Sequence, residues 1–148
     1  MAHDVDLPNS DLRQCTEFEY ILIGDLRDLL EEPDGFETRL WLVAVLDALV
    51  ETLPRELELK SESGYLADVL DEFPNWENHV QQLQEEHVRL HRRLVELRDR
   101  IRNHQAMNNL MEQVRVDLET WMEAFVNRHR EERRLVQTAA NLEVGCGD

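Results

Sequence analysis

The feature that most constrains this chain is an apolar helical stripe that contains two histidines. Between residues 80 and 104, apolar side chains recur every three or four residues, the period of one face of an α-helix. His87 and His104 fall on this stripe, and His87 lies in its middle. A buried imidazole needs a hydrogen-bonding partner or a metal ion. The identity of that partner therefore bears directly on what the protein does.

The composition indicates one helical domain over residues 1–148. Hydrophobic residues make up 42% of the chain, whereas Gly and Pro number only five and four, so that Leu and Glu can fill long helices. The formal net charge of −16 disfavours binding to nucleic acid and to anionic membrane surfaces. We therefore expect no nucleic-acid partner and no membrane partner.

The cysteines and the first residues indicate a cytoplasmic protein. Cys15 and Cys146 lie far apart and do not make a disulfide framework. Residues 1–10 contain acidic side chains and no apolar segment of the kind found in a signal peptide. The most apolar run, residues 40–50, is interrupted by Asp47 and is too short to span a bilayer.

Four amphipathic stretches predict four long helices, which we call helices A to D. They are expected over residues 10–32, 36–59, 75–103 and 107–139. Short connections join A to B and C to D, and such connections make consecutive helices antiparallel. The predicted fold is all-α, an up-down-up-down antiparallel four-helix bundle. The buried stripe of helix A is expected to consist of Cys15, Phe18, Leu22, Leu26 and Leu29.

The ends and connections of these helices carry further signals. Ser10 or Asn9 is a plausible N-cap for helix A, and Pro54 predicts a kink or a break in helix B. Apolar residues between positions 61 and 74 predict a short extra helix between helices B and C. Residues 1–9 and 141–148 are expected to be flexible or extended tails.

Polar residues from several helices are expected at the level of His87. A helix rises about 1.5 Å per residue, so counting from the turns places side chains of different helices at one height. His87 and His91 lie one turn apart, a spacing at which two imidazoles share a metal. Glu and His that converge inside a four-helix bundle also build di-iron sites. The polar residues at this level are Cys15, Glu56, His87, His91, His129 and Glu132.

A hydrogen-bonded network accounts for the same residues without a metal. In that case His87 bonds to Glu56 or Glu132. His91 would then lie at the rim of the bundle, and His129 would be a surface residue among charged neighbours. The residues leave both interpretations open, and the candidate metal ligands are His87, Glu56 and Glu132, with His91 and His129 as further candidates.

The chain resembles the bacterial hemerythrin-like domains, the HHE cation-binding family. The resemblance lies in the order and spacing of the run Leu53 to Leu66, of Glu86-His87, and of residues 128–137. The tail from Leu142 to Asp148 is similar to the ending of one subgroup. Together these segments extend the resemblance over most of the chain.

The resemblance implies a four-helix bundle that holds two non-haem irons with histidines and carboxylates. It also implies that the protein binds or senses oxygen, iron or redox state. His87 matches the histidine of helix C in this family, and Glu132 matches the acid of helix D.

Other positions depart from the family pattern. Helix A has Cys15 and Thr16 where a histidine is expected, and the first ligand of helix D falls at a basic pair, Arg128 or His129, depending on register. In helix B the ligand positions hold Glu56 and Lys60. A cation in place of a ligand repels a metal and pairs with the carboxylates left behind.

Two hypotheses about function follow. The first is a hemerythrin-like bundle with a degenerate or remodelled metal centre, with non-haem di-iron as cofactor and with dioxygen or iron as partner. The second is a metal-free bundle that acts as an interaction or structural protein, in which Glu56–Arg128 and Lys60–Glu132 pairs replace the charge of the metal. No residue set indicates hydrolytic or transfer catalysis, so we do not expect an enzyme.

Two exposed features are candidates for contacts with other chains. Trp41 and Trp76 mark a candidate homodimer or partner surface, although capping of the bundle end explains them equally well. Residues 142–145 faintly resemble the tail peptides that load hemerythrin-like cargo into encapsulin shells, and a disordered tail explains them as well.

Overall fold

The computed structural model of the protein describes residues 2–64, 66–103 and 108–147, and no strand occurs among them. The prediction of an all-α fold is therefore confirmed. The short α3 also confirms the extra helix expected between helices B and C. The described helices are α1 (Ala2–Glu31), α2 (Phe36–Ser63), α3 (Ala67–Glu72), a 3₁₀ turn (Pro74–Trp76), α4 (Glu77–Asn103) and α5 (Asn108–Gly147).

The helices differ from those expected at two ends and at one internal position. α1 begins at Ala2, so Ser10 lies inside the helix and is not its N-cap. α5 continues to Gly147, so residues 141–147 are helical and not extended. α2 passes through Pro54 without a break. Ser and Asn inside a helix cost less than about 1 kcal/mol each, so a candidate N-cap residue does not prevent the helix from beginning earlier.

α2 ends at a glycine in the left-handed conformation. Gly64 has a φ of 69°, and its backbone N–H points to the carbonyls of Lys60 and Ser61. Side chains other than glycine adopt this φ only at a cost. The turn after α2 therefore has a local cause in the sequence, and it leads the chain into α3.

The long helices pack around a core built mainly of leucine. α1 packs along α2, α2 along α4, and α4 along α5, whereas α1 and α5 make few contacts with each other. A second apolar cluster lies around α3 and includes Trp76, which stacks on Phe73 with ring centroids 4.4 Å apart. The fully buried residues of the main core are Leu26, Leu42, Leu46, Leu49, Leu53, Leu94, Leu97, Val114, Leu118 and Phe125.

A buried polar layer separates the main core from the second cluster. On α4, for example, His87 lies between Leu83 of the second cluster and Leu94 of the main core. Within the described residues, no helix has an apolar stretch long enough to cross a membrane. The buried polar residues are Glu19, Thr52, Glu56, Lys60, His87, Arg128, His129 and Glu132.

Two leucines on α2 test the position of the core. Leu46 is fully buried, whereas Leu40 is 56% exposed. Leu46→Ala should lower the free energy of unfolding by about 2–5 kcal/mol because it leaves a cavity, as measured by urea denaturation. The matched variant Leu40→Ala should change it by less than about 0.5 kcal/mol. Equal losses in the two variants would show that the face of α2 is assigned wrongly.

Candidate functional site

Two acids and two cations form a closed arrangement in the polar layer. Glu56 and Lys60 lie one turn apart on α2, and Arg128 and Glu132 lie one turn apart on α5. The Lys60 Nζ contacts a carboxylate oxygen of both Glu56 and Glu132. The Arg128 Nη1 donates to Glu132 Oε2 at 3.0 Å, and its Nη2 donates to Glu56 Oε2 at 3.5 Å. Each cation thus bridges the same two carboxylates.

A third acid and a histidine extend this arrangement toward α1. The His129 Nε2 lies 3.5 Å from Glu56 Oε2 and 3.8 Å from Oε1 of Glu19. The His129 ring packs against Tyr20 and Phe125, with ring centroids 5.5 Å and 4.7 Å away. We refer to Glu19, Glu56, Lys60, Arg128, His129 and Glu132 as the charge network.

The neighbouring buried acids Glu19 and Glu56 have different protonation states. Burial raises the pKa of Glu19 to about 10, and the adjacent Glu56 carboxylate adds to this shift. Burial also opposes ionisation of Glu56, but the adjacent His129 and the charge of Lys60 hold the pKa of Glu56 well below its usual range. At neutral pH, Glu19 is therefore a neutral carboxyl group beside an ionised one.

His87 and His91 bond to the backbone of α2. The His87 Nε2 donates to the Leu53 carbonyl at 2.6 Å, and the His91 Nε2 donates to the Val50 carbonyl at 3.1 Å. Pro54 has no N–H, so the Val50 carbonyl lacks its usual partner within the helix. His91 supplies that missing partner.

The protonation states of His87 and Cys15 follow from their burial. Burial and the charge of Arg128 lower the pKa of His87 to about 4, so its imidazole is neutral at pH 7. Burial and the charges of Glu19 and Glu56 raise the pKa of the Cys15 thiol to about 12. The Cys15 Sγ contacts the Thr52 carbonyl at 3.7 Å. Cys15 is thus a neutral thiol that packs against α2.

The structure brings together three of the five candidate ligands from the sequence. Glu56, Glu132 and His129 all belong to the charge network, and His129 is buried, not on the surface. His87 lies beside the network and bonds to the Leu53 carbonyl, whereas the half-buried His91 bonds to the Val50 carbonyl.

Glu19 is a member of the charge network that the sequence interpretation missed. It is fully buried, whereas Phe18, which was expected to face the core, is 46% exposed. Both residues fit the spacing of the stripe that continues to Leu22, because positions three and four apart share one helix face. The spacing of four residues between Cys15 and Glu19 places both on one face of the helix, and this spacing could have indicated that Glu19 is buried.

A single metal ion would find three ligand atoms here. Glu19, Glu56 and His129 each offer one ligand atom, and these atoms lie within 4.8 Å of one another. Two irons bridged by carboxylates do not fit the residues present, because Lys60 and Arg128 lie between Glu56 and Glu132. Ion pairs thus occupy the position at which the resemblance implied a di-iron centre.

Comparisons with known protein families, with curated proteins and with solved structures give no match to this chain. The resemblance to hemerythrin-like domains therefore rests on the sequence segments described above.

The charge network is reached from two sides of the molecule. A cavity of about 390 Å³ beside α3 is lined in part by Lys60, His87, Arg128 and Glu132. A wider groove of about 860 Å³ is lined by residues of α1 and α5, where these helices make few contacts, and it reaches His129. Small molecules thus have routes toward both ends of the network.

The raised pKa of Glu19 predicts a pH-dependent stability. In the folded protein Glu19 keeps its proton up to about pH 10, whereas the unfolded chain releases it near pH 4.5. The contribution of Glu19 to the free energy of unfolding is therefore present at low pH and is lost as the pH rises. Glu19→Gln removes this titration beside Glu56, Lys60 and His129. The free energy of unfolding of Glu19→Gln minus that of wild type should rise by up to about 1.4 kcal/mol for each unit of increasing pH.

Urea denaturation at several values between pH 5 and pH 8, in the presence of a chelator, measures this difference. The control is Glu17→Gln, an exposed acid on the same helix, and an equal rise in this variant would show that the effect does not come from Glu19. A flat or falling difference for Glu19→Gln would contradict a protonated Glu19.

Proposed function

We propose that this chain is an up-down-up-down four-helix bundle of the hemerythrin type that works without a di-iron centre, as a metal-free binding protein. The observation that carries the proposal is that Lys60 and Arg128 each bridge Glu56 and Glu132. These four side chains are all buried. The two cations therefore supply the positive charge that metal ions supply in the family.

The balance of charge supports the metal-free state. With Glu19 neutral, the two carboxylates of Glu56 and Glu132 offset the charges of Lys60 and Arg128. A metal ion bound by Glu56 or Glu132 would displace one of these cations from its partners. An unpaired buried cation costs several kcal/mol. This cost disfavours the binding of a metal ion by Glu56 or Glu132.

A second candidate function is the binding of a single metal ion by Glu19, Glu56 and His129. The specific observation in its favour is that both oxygens of Glu19 and the Nε2 of His129 are buried and make no hydrogen bond of good geometry to the described residues. Binding would require Glu19 to release its proton, and Glu56 would be shared with Lys60.

Elemental analysis separates the two candidates. Iron, zinc and manganese are measured on tag-free protein purified without chelator, before and after anaerobic loading with Fe²⁺. We expect less than about one tenth of a metal ion per chain in wild type. Lys60→Glu, which exchanges a cation for a carboxylate, should raise the metal content.

Other metal contents would contradict the metal-free proposal. About one ion per chain in wild type, lost in Glu19→Gln and kept in Glu17→Gln, would establish the second candidate. About two irons per chain in wild type would restore the usual centre of the family and overturn both.

The ion pairs also predict a pattern of stabilities. Glu132→Gln leaves Lys60 and Arg128 with only one carboxylate, Glu56, and should cost about 3–5 kcal/mol of unfolding free energy. Adding Lys60→Met restores the balance of charge and should recover part of that loss. The control Glu96→Gln breaks an exposed ion pair and should cost less than about 1 kcal/mol. Urea denaturation of wild type, of these variants and of the single variant Lys60→Met measures these differences. A double variant that loses as much unfolding free energy as its two single variants together would contradict the pairing.

A further inference from the structure

The cavity beside α3 has the size and lining of a site for a small molecule. Its volume is about 390 Å³, within the range of pockets that bind small ligands. One part of its wall is apolar, and another part consists of side chains of the polar layer. The apolar lining residues are Leu57, Leu66, Leu70, Val80 and Leu83, and the buried polar ones are Lys60, His87, Arg128 and Glu132.

His87 lines this cavity and has a buried ring nitrogen that can accept a hydrogen bond. The carbonyl of Leu53 can only accept, so the Nε2 of His87 carries the proton in their bond. The Nδ1 of this neutral imidazole then carries a lone pair. Nδ1 is buried and has no hydrogen-bond partner among the described residues.

Arg128 also lines this cavity and has a buried hydrogen-bond donor. Its two terminal nitrogens are used by Glu132 and Glu56. Its Nε–H is buried and bonds to no group in the described part of the chain. His87 and Arg128 are each only 2% exposed, so an unsatisfied polar atom on either one carries a cost.

We propose that the cavity binds a small neutral molecule that has one hydroxyl group and a short apolar chain. The hydroxyl donates its hydrogen bond to the Nδ1 of His87 and accepts one from the Nε–H of Arg128. The apolar chain lies against the leucine and valine side chains. A hydroxyl group satisfies both atoms because it is a donor and an acceptor at once.

The charges around the cavity select against ions. Lys60 and Arg128 are already offset by Glu56 and Glu132, so a carboxylate or an ammonium ion would bring an unbalanced charge into a buried site. This selectivity rests on the proposed function, because it requires ion pairs and not a metal ion at the centre.

Titration with hexanol tests the proposal on the chain of 148 residues. NMR of ¹⁵N-labelled imidazoles monitors the Nδ1 of His87 while hexanol, hexanoate or toluene is added. We expect hexanol to shift this resonance to saturation, and hexanoate to leave it unchanged. Toluene, which lacks a donor, should bind about tenfold more weakly than hexanol, the loss expected for one buried hydrogen bond.

Three variants assign the binding to this cavity. His87→Phe keeps a ring and removes the acceptor, so the affinity for hexanol should fall about tenfold, to the level of toluene. Ala67→Phe changes an exposed residue that also lines the cavity and should reduce binding of both probes by steric exclusion. Gln82→Phe, at an exposed position on α4, should have no effect. For the variants, binding is followed by the tryptophan fluorescence of the protein.

The outcomes separate this inference from the proposed function. No saturable shift with hexanol, a cavity that holds water only, or equal affinities for hexanol in wild type and in both cavity variants would overturn the inference. Metal content is measured on the same samples. Bound metal together with bound hexanol would overturn the metal-free proposal alone, whereas metal-free protein that does not bind hexanol would overturn the inference alone.

Discussion

One fully buried carboxylate, Glu56, organises the centre of this protein. Lys60, Arg128 and His129 all contact its Oε2, so one oxygen joins residues of α2 and α5. A buried carboxylate is stable only with such partners. Burial keeps Glu19 protonated, and the neighbouring Glu56 carboxylate adds to this effect.

The same part of α2 also holds the neighbouring helices through its backbone. Pro54 leaves the Val50 carbonyl without its partner within the helix, and His91 of α4 supplies a donor. His87 and Cys15 reach the carbonyls of Leu53 and Thr52 within the same turn. Backbone carbonyls and ion pairs thus tie α1, α4 and α5 to one short segment of α2.

This arrangement explains why the polar layer is compatible with a leucine core. Its cations have carboxylate partners, and two of its polar side chains bond to backbone. Among the described residues, the oxygens of Glu19, the Nδ1 of His87 and the Nε of Arg128 are buried without a hydrogen-bond partner. The two ligand sites proposed above are built on these atoms.

The sequence alone determined the helices and the height of the polar layer. Periodic leucines place the helices because their spacing is a local property, and counting from the turns brought Glu56, Glu132 and His129 to one level because the rise per residue is constant. Only the tertiary structure decided between Phe18 and Glu19, which both fit the stripe of α1. It also decided that His87 and His91 bond to carbonyls and that Lys60 and Arg128 bridge the acids. These choices depend on distances between helices, and no spacing within one helix encodes them.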